Sequence, residues 1–274
     1  DRRGRPAMTQ IEIKRNGAVL TATITITPDG FMDPVTEDEL GTLLDQVDSD
    51  DGVRAVVFTG GMPDVFIRHY DVGVLSATAE RMAGREMRFE TTRSVPESPY
   101  HVCLRRITES PVAFIAAING TAMGGGFELA LACDIRIALD GAYDLGLPEI
   151  NIGLLPGAGG TQRLPRLIGE GRAFEMVARG RTLSPAEALD WGIVSEVVAK
   201  DVAARGLEIA EELSRKPARA FRNIKRLMRT GFDRPLAEGL ADERTLFCDV
   251  MVDEETIARM ADLNDGKRDI RDRD

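Results

Sequence analysis

Histidine is almost missing from this chain of 274 residues, which has only His69 and His101. A Ser–His triad or a histidine-built metal centre therefore has very little material. Cysteine is nearly as scarce. Cys103, Cys133 and Cys248 are odd in number, widely spaced and without a C-x-x-C pair. Neither a disulfide framework nor a zinc site is expected, and a reducing cytoplasm is the simplest home. Aromatic residues make up only 5% of the chain, so the core must be built from Ala, Val, Ile and Leu. Positive charge is in deficit: Lys and Arg number 35 against 45 Asp and Glu, a net charge of −10. That argues against nucleic acid and anionic membrane as partners. It leaves room for an anionic substrate in a local basic pocket. No apolar run approaches the ~18 residues of a membrane span. Residues 1–7 are basic but lead into no apolar stretch, so no secretory signal is expected, and Met8 is a candidate natural start.

What is present is an apolar fraction of 43%, enough for a sizeable core, and a pattern of strands alternating with helices to about residue 200. Residues 11–15 and 19–27 alternate around Asn16-Gly17 and read as a β-hairpin. Residues 36–47 place Leu40, Leu43, Leu44 and Val47 at helical spacing, with Thr36 and Glu39 read as a capping box. Residues 53–59 and 112–118 are buried strands by their continuous apolar runs. A helix is expected near 77–92, and Asn119-Gly120 reads as a turn. Residues 127–133 read as a helix and 135–138 as a short strand. Helices follow around 161–168, 170–179 and 184–191, the last with Ser184 as N-cap and Pro185 at its first position. From Val202 the pattern is helical almost to the end. Residues 213–229 carry Arg215, Arg219, Arg222, Arg226 and Arg229 along one face. A solvated amphipathic helix is the simpler reading; contact with phosphates or an acidic neighbour is the functional one.

Two segments carry candidate chemistry. In residues 124–128, GGGFE, three glycines let the backbone approach a ligand, and a helix start presents unpaired N–H groups with partial positive charge. Such a turn suits a negatively charged oxygen. Glu128, in the first turn, is placed to stay ionised and act as a general base. A glycine run alone serves equally well to pack a helix on a strand. In residues 145–160, LGLPEINIGLLPGAGG, Glu149 is the only charged side chain. Apolar surroundings raise a carboxyl pKa, which suits a proton donor near neutrality. A lone glutamate in a loop would read as a surface charge. The pair is the stronger signal, because two carboxyls in opposite environments divide into acid and base. The amide of Gly125 is a candidate oxyanion donor. GAGG at 157–160 lacks the lysine and hydroxyl of a phosphate loop and reads as a backbone turn beneath the pocket.

The run INGTAMGGGFELALACDIRIA, followed by LGLPEINIGLLPGAGGTQRL and by GRTLSPAEALDWGIVSEVV at 180–198, closely resembles the enoyl-CoA hydratase/isomerase, or crotonase, family. The resemblance covers most of residues 53–200. It implies an α/β fold, a crotonase-like spiral of ββα units over residues 8–200, with a helical trimerisation region at 201–264 and flexible ends at 1–7 and 265–274. It implies Glu128 and Glu149 as the catalytic pair flanking an acyl-CoA thioester, with backbone N–H groups of Gly125 and Arg68 as the oxyanion hole. Phe66, His69, Tyr70, Asp71, Gly124, Pro148 and Gly157 would line the pocket, His69 in a structural or pocket-lining role. The segment Phe66-Ile67-Arg68-His69-Tyr70-Asp71 departs from the family's F-x-A-G-x-D in carrying Arg68 and His69. Thr27-Pro28-Asp29-Gly30 stands where an N-R-P loop is usual, and the spacing before Glu149 is one residue longer. The implied activity is hydration of an α,β-unsaturated acyl-CoA in fatty acid metabolism. No metal or redox cofactor is expected; coenzyme A arrives with the substrate. A homotrimer or homohexamer is implied. Double-bond isomerisation needs only one glutamate, so Glu128 favours the hydratase. Another crotonase-type lyase or decarboxylase, or a non-catalytic acyl-CoA-binding subunit, is the competing reading.

Overall fold

The computed structural model describes residues 9–272. The readings of residues 1–7 and of Met8 lie outside them. The hairpin forms as its pattern requires: Ile11–Asn16 pairs antiparallel with Val19–Ile24, and Gly17 supplies the left-handed φ of 58° that the turn needs. From there the chain repeats one manoeuvre. A strand of a six-stranded sheet is followed by a short strand elsewhere, then by a helix. Val19–Ile24, Phe31–Met32 and Pro34–Ser49 make the first turn of this spiral; Ala55–Gly60, Asp64–Ile67 and Val72–Gly84 make the second. Ala113–Ile118, Gly120–Met123 and Gly125–Ala132 make the third; Ile135–Leu139, Leu145–Gly146 and Gly160–Ile168 make the fourth. The large sheet keeps sequence order and closes on Glu196–Val198, its pairs after the hairpin being parallel. A four-stranded sheet gathers Thr182–Leu183, Leu145–Gly146, Gly120–Met123 and Asp64–Ile67, while Phe31–Met32 pairs with His69–Tyr70.

The large sheet is covered on both faces, which is why its central strands are unbroken apolar runs. Val56, Phe58, Phe114 and Ala116 pack with Leu40, Leu104 and Phe127 on one side. On the other, Val57, Ile115 and Ala117 meet the helix Val202–Ser214. Gly206 permits that approach: a methyl group there would sit 2.9 Å from Ala117 Cβ. The expected boundary at residue 200 therefore falls inside the packed unit. Among the described residues, no helix is long and apolar enough to cross a membrane.

Four expectations are corrected. The first helix starts at Pro34, with Asp33 as N-cap and Thr36 answering it, because Asp33 Oδ1 accepts from the Val35 and Thr36 amides. Glu39 instead accepts from the amides of Gln10 and Ile11. The helix expected at 77–92 lies at Val72–Gly84, started by the Asp71 cap, and a second helix follows at Pro99–Glu109. Asn119-Gly120 is not a turn: Asn119 accepts from the Gly60 amide and donates to Met62 O, and the chain runs on into the next strand. The basic stripe is not one solvated face. Arg215 caps the preceding helix, Arg219 pairs with Asp249 and Asp253, and Arg229 pairs with Asp134. The helix Ala218–Thr230 buries Lys225, which donates to Ile107 O, Val112 O and Asp134 Oδ2, while Ile224 and Met228 are 57% and 70% exposed.

Candidate active site

The helix Gly125–Ala132 begins at Gly124, whose φ of 49° and ψ of −126° need the freedom of glycine. Gly124 N–H donates to Gly146 O, which ties this turn to the neighbouring strand. Gly126 must also lack a side chain, because a methyl group there would lie 2.3 Å from Ile67 O. The helix start is thereby pressed against the strand Asp64–Ile67, with its first amides lacking partners inside the helix. Tyr100, buried on the helix Pro99–Glu109, donates to Gly125 O at 2.5 Å and fixes the same turn from behind.

Glu128 follows one turn later and is only 3% exposed. Its own amide donates to Gly124 O. Its Oε1 accepts from the Ala158 amide at 2.7 Å and the Gly160 amide at 2.8 Å. Burial raises its pKa above the ordinary glutamate value, and those two amides pull it back. What supports the ionised form is therefore the 156–160 loop, whereas the sequence pointed to the helix dipole. A nearby positive charge, the half-buried Arg163, acts in the same direction and donates to Ala158 O.

Glu149 opens a 3-10 turn, Glu149–Ile152, after Pro148. Its pKa is raised to about 7, chiefly by burial and further by the charge of Glu128. Its Oε2 is buried with no hydrogen-bond partner. A methyl group placed on Gly124 would sit 3.4 Å from Glu149 Oε1 and 3.6 Å from His69 Cβ. The two carboxyls thus meet around one glycine turn, one held by two loop amides and one with an oxygen left without a partner. That arrangement suits a base and an acid acting on a single substrate.

The other site candidates divide. Gly124, Gly125, His69 and Tyr70 come together; Gly157 and Pro148 lie in the flanking loops. His69 stacks on Phe31, with centroids 4.3 Å apart, and its Nδ1 bonds to Tyr70 O at 2.7 Å. Phe66 does not line the site: at 1% exposure it belongs to the core, in a short strand whose Val65, Phe66 and Ile67 are all buried and whose register shifts at this residue. Asp71 is a helix cap, accepting from the Gly73 and Val74 amides. The Arg68 amide, expected in the oxyanion hole, donates to Gly30 O at 2.9 Å and is engaged there. Sequence reasoning missed the Ala158 and Gly160 amides, Tyr100, His101 and Glu37, which accepts from the Tyr70 hydroxyl at 2.7 Å. Only the glycine-rich 157–160 run carried any signal of them.

The enoyl-CoA hydratase/isomerase family profile matches residues 22–262. The fatty acid oxidation complex subunit alpha of Idiomarina loihiensis is 38% identical over 183 residues, 66% of this chain; the chain spans 24% of that subunit's length. An enoyl-CoA hydratase from Bacillus anthracis superposes with a TM-score of 0.83 at 30% identity, covering 94% of this chain and 96% of the other. Pseudomonas aeruginosa DspI superposes with a TM-score of 0.83 at 31% identity, covering 98% of each chain.

Proposed function

The chain belongs to the enoyl-CoA hydratase/isomerase family, and from that premise we propose that it is a hydratase, adding water across the double bond of an α,β-unsaturated acyl-CoA. The observation that carries this reading is the unlike pair: Glu128 held by two amides of the 156–160 loop, Glu149 with its Oε2 buried and unpartnered and its pKa raised to about 7. Glu128 takes a proton from water as the water oxygen bonds to the β-carbon. The double-bond electrons move toward the thioester oxygen, and Glu149 delivers a proton to the α-carbon. The oxidation state of the substrate and water together does not change, so proton transfer suffices and no redox group or metal is called for.

The developing oxyanion needs donors. Gly125 supplies one amide at the helix start. Tyr70 supplies the second in place of Arg68. Amides alternate sides along a strand, and the Asp71 amide donates to Met32 O, so that of Tyr70 faces away from that strand. Gly125 lies close by: a methyl group there would be 3.7 Å from Tyr70 Cβ. Isomerisation needs only one proton-shuttling carboxyl, and the amide-held Glu128 favours hydration over it. A reducing cytoplasm suits the free thiols of Cys103, Cys133 and Cys248. A homotrimer or homohexamer is part of the same reading, supported by the apolar faces left bare on the C-terminal helices.

The test is a screen of enoyl-CoAs for loss of the conjugated thioester absorbance, with Glu128→Gln and Glu149→Gln beside the wild type. Hydration by the wild type and a drop of ~10²–10⁴-fold in each variant is expected. Isomerisation that survives Glu128→Gln would replace the hydratase by an isomerase. Tight coenzyme A binding without any turnover would replace it by a binding subunit.

A further inference from the structure

The amides that hold Glu128 lie on a loop, and a loop keeps its amides aimed only if something outside it fixes the backbone. Two side chains do this. Arg163, from the helix that follows, donates to Ala158 O at 2.8 Å. His101, from the separate helix Pro99–Glu109, bonds through Nε2 to Gly157 O at 2.7 Å. A carbonyl can only accept, so Nε2 carries the proton. Nδ1 is 2.6 Å from the hydroxyl of Ser98, the N-cap of the same helix, which orients the ring. Tyr100, the neighbouring residue, donates to Gly125 O. The first turn of one helix therefore grips both halves of the site: the glycine turn through Tyr100 and the glutamate cradle through His101. Gly157 offers no side chain of its own, and a methyl group there would meet nothing within 4 Å. Packing does not restrain this residue, so its carbonyl contact matters more.

We infer that His101 is a positioning residue for the base: by holding the Gly157 carbonyl it keeps the Ala158 and Gly160 amides on Glu128. This rests on the hydratase reading for its kinetic consequence. Without the imidazole, the loop rotates more freely, the amides leave Glu128 for part of the time, and the carboxylate loses its orientation toward water. Substrate contacts at the oxyanion turn are untouched, because Tyr100 still holds Gly125.

The experiment compares wild type, His101→Ala and His101→Gln; the glutamine amide can donate to the Gly157 carbonyl from a similar distance. Hydration kinetics and amide hydrogen exchange at Ala158 and Gly160 are measured together. In His101→Ala, kcat is expected to fall at least about tenfold with KM within about twofold, part of the ~10²–10⁴-fold that base catalysis supplies. Exchange at the two amides is expected to speed up by a similar factor, and His101→Gln should recover most of both. Unchanged exchange in His101→Ala overturns the inference, whatever the activity. So does an equal loss in both variants with a raised KM, which marks a merely structural role. If the wild type hydrates no enoyl-CoA, the hydratase reading fails, and the exchange data alone decide whether His101 holds the cradle.

Discussion

Glu149 and Glu128 both have pKa values raised by burial, and the charge of Glu128 raises that of Glu149 further. In the hydratase reading the two carboxyls share one proton, and the titration of such a pair belongs to the pair. Hydration starts with Glu149 protonated and ends with Glu128 protonated, because Glu149 gives its proton to the α-carbon and Glu128 takes one from water; dehydration runs the other way. Both directions therefore use the same singly protonated state. The values of kcat/KM for hydration and for dehydration should follow one bell, each falling tenfold per pH unit above about 7. Basic limbs at different pH in the two directions would contradict the pairing. Stability gives a second check at Glu149. Its folded pKa lies above the ordinary 4.5, so below 4.5 both folded and unfolded chains hold the proton and nothing is lost. As pH rises from 4.5 to about 7, the unfolded chain releases its proton first and the fold is disfavoured. Glu149→Gln should therefore raise the Tm at pH 8 and leave it near that of the wild type at pH 4, as read by calorimetry. At this scale the two carboxyls were legible because residue type and apolar context speak for them. The engaged Arg68 amide was not, since its acceptor, Gly30, is distant in sequence and meets it only through strand pairing.

Among the elements, the helix Ala218–Thr230 inverts the usual pattern, with a lysine inside and large apolar side chains outside. Asp134 makes this possible: it accepts from Lys225 Nζ at 2.8 Å, from Arg229 at 2.9 Å and from the Phe114 amide at 2.9 Å. Removing it leaves the Lys225 charge buried beside carbonyl oxygens alone. Asp134→Ala should cost about 3–5 kcal/mol of stability. Chemical denaturation would measure it, and Asp134→Ala combined with Lys225→Met should recover part of the loss; no recovery would mean that the charge is not the cause. The glycine turn makes a sharper demand. Gly126→Ala places a methyl group 2.3 Å from the Ile67 carbonyl. The helix must then back away from the strand, and hydration activity should fall at least tenfold even where circular dichroism remains native. Activity within twofold of the wild type would show that the close approach is dispensable. The helix at 184–191 was legible through Ser184 and Pro185, which cap and start it as read. The first helix was misread because the capping pattern lay three residues earlier, at Asp33.

For the molecule as a whole, the unanswered surface is apolar. Phe232, Leu236 and Phe247 are 79%, 76% and 64% exposed, and Ile224 and Met228 join them. The helices Leu236–Met251 and Glu254–Asn264 bury none of their residues within this chain. Bare apolar side chains of this kind suit the proposed oligomer. Sedimentation should give a mass of three or six times the chain's 29.9 kDa. Leu236→Glu with Phe247→Asp should shift it toward the single chain. A wild type that sediments as one chain would remove the oligomer from the reading.

The sequence by itself determined the strand–helix alternation, the apolar core and the two glutamates, because each is written in neighbouring residues and their period. The spiral repeat was legible only through the family resemblance, because its four turns share a path and no residue pattern. Only the tertiary structure decided which amides hold Glu128, which amide Gly30 occupies, and that Phe66 faces inward. Those outcomes depend on strands and loops far apart in the chain being brought within hydrogen-bonding distance, and local spacing carries no record of that.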